Sequence, residues 1–164
     1  MRLVLALACE HAHVRPDGRL DIRGVFYQLA APAFPASQDR MTAVFVLEWA
    51  AEEAGRQPLR ADLVETASGK PVLTIQGHTD VGFSRPGSPA QTRLVMPLEN
   101  VVFPAEGRYE FRFAAGGERV SAFSIFLFVA GEEGGSGAEG EDGGADTGGE
   151  DGGAGIAGEV GGAG

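Results

Sequence analysis

Cys9, His11 and His13 alternate along the opening of the chain. Alternate residues of an extended strand share a face, so the three side chains are expected to point the same way. A thiolate and two neutral imidazoles are donors that zinc accepts. The spacing works against one shared ion. Same-face neighbours lie about 6.7 Å apart, which sets Cys9 and His13 about 13 Å apart unless the strand bends. A further ligand is also needed, and His78 or Asp80 are the candidates. The competing reading is a buried thiol followed by two histidines at a strand end. The metal candidates are therefore Cys9, His11, His13 and His78, an incomplete set.

Other chemistry is sparser. His78, Asp80 and Ser84 have the residue types of a hydrolase triad, but triads are recognised by geometry, and no Gly-x-Ser-x-Gly elbow accompanies them. Glu52-Glu53 reads as a solvated pair. The glycine-rich end has no Gly-Lys-Ser/Thr, so it is not a phosphate-binding loop. Two partial copies of a calcium-binding nonapeptide, at Gly134–Glu139 and Gly152–Ala157, lack the required aspartate and cannot stack into a roll. No catalytic residue and no cofactor site emerges.

The elements that would position these residues fall into two compositional zones. Residues 131–164 hold 16 glycines, nine acidic residues, no Lys or Arg and no aromatic residue. Such a segment buries too little apolar surface to offset its ordering entropy, so a disordered acidic tail that aids solubility is expected. Those nine acids account for most of the net charge of −10. Residues 1–130 are nearly neutral and long enough for one core. They contain a single lysine, Lys70, and scattered arginines, which argues against nucleic acid as the partner. The lone cysteine allows no internal disulfide and fits a reducing compartment. The apolar opening Leu3–Ala8 is short for an export signal and reads better as a buried strand. No run approaches a membrane span. A cytoplasmic location is the default expectation.

Turns and alternation organise residues 1–130. Pro16-Asp17-Gly18 is a turn, and Leu20 and Ile22 share a face beyond it. The apolar signal continues from Val25 to Leu29, past a bulge at Gly24. Ala31–Pro35 is a connection, with Phe34 closing one end of the core. Met41–Trp49 is apolar on both faces and should be central. Glu48–Gln57 has room for one helical turn. Leu59–Thr66 and Val72–Gln76 form a hairpin, Gly82–Pro89 a surface loop, and Thr92–Leu98 a further strand. Arg108–Phe113 turns Tyr109, Phe111 and Phe113 inward and charge outward. Val120–Val129 is apolar on both faces and must lie inside a sheet. About eight strands without crossover helices indicate an all-β, antiparallel β-sandwich.

Two stretches carry a family resemblance. Ala8-Cys9-Glu10-His11-Ala12, Asp17–Phe26 and Ala31-Pro32-Ala33-Phe34-Pro35 form the first; Phe103–Phe111 is the second. They resemble an uncharacterised family of small bacterial proteins, a domain of unknown function. The resemblance covers most of residues 1–130 and implies a β-sandwich without implying an activity. Gly107-Arg108-Tyr109 also resembles the tyrosine corner of immunoglobulin-like domains, with Phe111 where those domains carry a cysteine. The reading that results is a non-enzymatic β-sandwich interaction or structural module, immunoglobulin-like, with a protein partner. The last strand and the Gly82–Pro89 loop are its candidate contact points. The alternative is a small-ligand or metal-binding sandwich using the Cys9, His11 and His13 strand.

Overall fold

The computed structural model describes residues 1–82 and 87–131. The acidic tail lies outside the described residues apart from Gly131, as do Ser84 and half of the Gly82–Pro89 loop. The described chain is all-β. Nine strands run in order: β1 (Arg2–Val14), β2 (Leu20–Phe26), β3 (Gln28–Ala31), β4 (Ala36–Trp49), β5 (Gly55–Glu65), β6 (Pro71–Val81), β7 (Ala90–Phe103), β8 (Gly107–Ala115) and β9 (Glu118–Val129). The expected helical turn is a short 3-10 segment at Ala51–Glu53.

The strands form two sheets, of order β2-β1-β4-β7 and β3-β9-β8-β5-β6. The expected single strand through residues 20–29 is in fact two. β2 pairs with β1 in the first sheet, while β3 pairs with β9 in the second. The break falls at Tyr27, whose carbonyl accepts the Phe126 N–H at 2.8 Å. This split raises the strand number from about eight to nine. It also corrects the purely antiparallel expectation, because β3 and β9 run parallel. No helix is needed to connect them, since the chain changes layers instead of crossing over one sheet.

Between the sheets lies the main core. Phe45 of β4 stacks on Phe113 of β8 with ring centroids 4.8 Å apart, and Phe111 stacks on Phe123 at 4.6 Å. Phe103 meets Tyr109 edge-on at 4.9 Å. Tyr109, Phe111 and Phe113 are buried as the alternation requires, and β4 is buried from Met41 through Leu47. Each large side chain withdrawn from water in this way contributes about 1.5–3 kcal/mol. Phe34 packs against this cluster at the end of the connection before β4. β9 lies between β3 and β8, and β3 covers its last four residues, Phe126–Val129.

A second, smaller cluster covers β4 from the opposite face. Cys9, Ala12 and Val44 are buried there, with Leu7, Leu20, Ile22 and Val95 packed around them. Ala8 belongs to the main core, while both Cys9 and Ala12 belong to the second cluster. Strict alternation would separate Cys9 from Ala12, three residues on. The β1–β2 hairpin therefore turns its face between them. Gly24, at φ +64°, sits at that level of the partner strand.

Candidate functional site

The hairpin's turn separates the residues that looked most chemical. Cys9 is fully buried, and its thiol faces the Thr42 carbonyl at 3.6 Å. Burial pushes the thiol's pKa up, so the reactive thiolate is disfavoured. His11 and His13 are exposed, with ring centroids 5.8 Å apart. His13 Nε2 lies 3.4 Å from Asp21 on the neighbouring strand. His78 is on β6 in the other sheet, where Arg56 contacts its ring. The structure thus leaves Cys9, His11, His13 and His78 in three different surroundings. Among the described residues, no group of three or more His, Cys, Asp or Glu side chains comes together. The shared face expected from strict alternation is not kept, because Cys9 is buried while His11 and His13 are exposed. Asp80 pairs with Arg56 across β5 and β6, and Ser84 lies outside the described residues, so no triad geometry can be drawn.

The outer face of the five-stranded sheet presents a different constellation. Register sets two neighbouring rows across its strands. One runs Thr74–Asp62–Arg112–Ser121, the other Gln76–Arg60–Ala114–Arg119. A register shift between Phe111 and Arg112 on β8, opposite an extra residue on β9, brings Ser121 and Arg119 into these rows. Ala114 stands between two arginines and lines a groove of about 480 Å³ with them. Arg60, Asp62, Arg112, Arg119 and Ser121 supply its polar lining, and Val64, Pro71 and Val120 its apolar walls. Past Ala114 the depression continues toward Gly117, where Glu118 lies on the rim.

Hydrogen bonds fix two of these arginines. Arg60 Nε donates to Asp62 Oδ2 at 2.7 Å, and Arg112 Nε donates to Glu110 Oε2 at 2.8 Å. Thr74 donates to the other Asp62 oxygen at 2.6 Å. Hydrogen bonding from Arg60 is the main reason Asp62 is held below the usual carboxylate range, and Arg119 adds to it through space. Glu110 is lowered by the Ser121 hydroxyl first and by Arg112 second. Each pair is made through Nε, and the Arg60 and Arg112 side chains remain about half exposed, at 48% and 49%. Arg119 makes no ion pair among the described residues.

Along the same face, β9 carries Phe126 and Phe128, 44% and 43% exposed. The Arg108 guanidinium lies over the Phe126 ring, 5.9 Å from its centroid, and Arg108 Nε donates to Ser124. Tyr27, 65% exposed, follows β2 and bonds to Phe126 through its backbone. Outward charge on β8 was legible from its alternation, whereas the alignment of Arg60 with Arg119 was not. That alignment depends on the pairing of β5, β8 and β9 and on one register shift.

Among the described residues no helix is long and apolar enough to cross a membrane. Neither the curated proteins nor the solved structures include a match to this chain. The model of a family of unknown function, DUF6941, matches residues 4–128, three quarters of the chain and nearly all of its two sheets. The chain therefore belongs to that family of unknown function, DUF6941.

Proposed function

We propose that the chain is a non-enzymatic, immunoglobulin-like β-sandwich that binds another protein through the outer face of its five-stranded sheet. Strand order supports the immunoglobulin-like reading. β4 pairs with β7 as strands B and E do, β5, β8 and β9 pair as C, F and G do, and β3 joins β9 at the edge. Tyr109 supports it too, since it sits at the corner between β7 and β8 and its hydroxyl donates back to the Ala105 carbonyl at 2.7 Å. Against an enzymatic role stand the inaccessible Cys9 thiol and the engagement of Asp62 and Glu110 in ion pairs.

One observation carries the interaction reading. A single sheet face joins exposed Phe126 and Phe128 to Arg108, Arg112, Arg60 and Arg119, and aromatic residues and arginine are the types enriched where proteins meet. Protein is favoured over nucleic acid because residues 1–130 have a single lysine and scattered arginines. A reducing, cytoplasmic setting suits the lone buried thiol. The test is a photo-crosslinking amino acid placed at Phe128 in the full chain. A discrete adduct is expected there, and it should disappear when Phe126→Asp is added. A probe at exposed Asp39, in the other sheet, should give none. The same adducts at both positions, or none at Phe128, would refute the proposal.

A further inference from the structure

We infer that the groove over Ala114 receives the carboxylate side chains of an extended acidic segment of a partner protein. This rests on the interaction-module reading and gives that reading a ligand chemistry. Three arginines line the groove against one aspartate, in a chain whose net charge is −10. Arg60 and Arg112 are held by their Nε bonds to Asp62 and Glu110, while about half of each side chain stays exposed to a ligand. A guanidinium offers paired N–H groups that match a carboxylate edge, and a carboxylate fixing its far side reduces the ordering cost of binding. Arg119 is exposed and completes the site opposite Arg60, across the small Ala114 side chain.

The shape selects an extended chain over a free small anion. Small-molecule sites are concave enough to bury most of their ligand. This groove lies open on a sheet face and continues toward Gly117 in one direction. The Phe126 and Phe128 surface lies on the same face, toward β3. A strand-like peptide spanning both regions places alternate carboxylates over the arginines and other side chains against the rings. Glu118 and Glu110 border the site, so acidic residues should be preferred at the centre of the groove and tolerated less at its rim.

The probe is a fluorescent peptide of alternating glutamate and threonine, titrated with the full chain and followed by anisotropy. Binding is expected at low salt and should weaken as salt rises. An otherwise equal glutamine–threonine peptide should bind at least about tenfold more weakly. Arg119→Ala should weaken glutamate-peptide binding about five- to tenfold, the size of one typical net hydrogen bond, and Arg119→Lys should restore only part of it. Arg119 is exposed and makes no ion pair among the described residues, so a folding defect is not expected, and a circular dichroism spectrum equal to that of the parent checks this. Equal binding of both peptides, or no effect of Arg119→Ala on a folded protein, overturns the inference. So does inorganic phosphate displacing the peptide at matched concentration, which marks a small-anion site, or tighter Arg119-dependent binding of single-stranded DNA. If these outcomes arise while the adduct at Phe128 persists, the acidic ligand is wrong and the interaction module stands. If the adduct is missing as well, both fail.

Discussion

Tyr109 is fully buried, yet its hydroxyl is well satisfied. It donates to the Ala105 carbonyl at 2.7 Å and accepts the Ala105 N–H at 3.2 Å. Burial pushes the phenol's pKa up, which keeps it neutral and able to donate. Its ring meets Phe103 edge-on, so one side chain ties the β7–β8 corner to the core. Tyr109→Phe keeps the ring and deletes both bonds. We expect a loss of about 1–2 kcal/mol, read as a lower urea midpoint with an unchanged slope. A midpoint equal to that of the parent would show that water replaces the hydroxyl at no cost. The burial of Tyr109, Phe111 and Phe113 was legible in the sequence, because period-two alternation needs no knowledge of a partner strand. The separation of Cys9 from His11 and His13 was not, because it depends on where the hairpin turns.

At the scale of elements, the β1–β2 hairpin does more than extend a sheet. By changing face near Cys9 it lays Ala12, Leu20 and Ile22 over the outer side of β4 and buries Val44. This explains why β4 is apolar on both faces although its sheet is one of two packed layers. Gly24 lies at this level, at φ +64°, where an added Cβ would overlap the Glu10 side chain. The overlap reaches Glu10 Cγ, but Glu10 is exposed and its whole side chain can turn about χ1, so the backbone angle sets most of the cost. We expect Gly24→Ala to destabilise the protein by about 1–2 kcal/mol, and the same loss should appear in a Glu10→Ala background. A loss that disappears in that background would place the cost in the contact instead. The split between β2 and β3 was hidden for a related reason. The apolar signal runs through Val25–Leu29 without interruption, and only packing sends its two halves to different sheets.

For the whole molecule, charge couples stability to pH. Asp62 and Glu110 are held below the usual carboxylate range, first by Arg60 and by Ser121 respectively. A carboxylate whose folded pKa is lowered contributes stability that is fully present above its unfolded pKa. That contribution is lost as pH falls through the folded value. The melting temperature should therefore vary little with these groups from neutral pH down to about 5 and fall below about 4. Both side chains are partly solvated, which keeps the effect modest. Asp62→Asn should make the acid limb shallower; an unchanged limb would assign acid sensitivity to other groups. The same two ion pairs hold Arg60 and Arg112 over the groove, so acid should loosen the proposed binding face as it lowers stability.

The sequence by itself determined the all-β class, the inward faces of β4 and β8, and the compositional break between residues 1–130 and a glycine-rich acidic end. These follow from local alternation, turn residues and composition, which each segment carries alone. Tertiary structure decided which sheet each strand joined, that β3 lies parallel to β9, that Cys9 and the histidines part, and that Arg60 and Arg119 flank Ala114. All of these depend on pairing between segments distant in the chain, and the last also on a one-residue shift of register between β8 and β9. Such a shift turns every later side chain to the other face and leaves no mark in either strand considered singly.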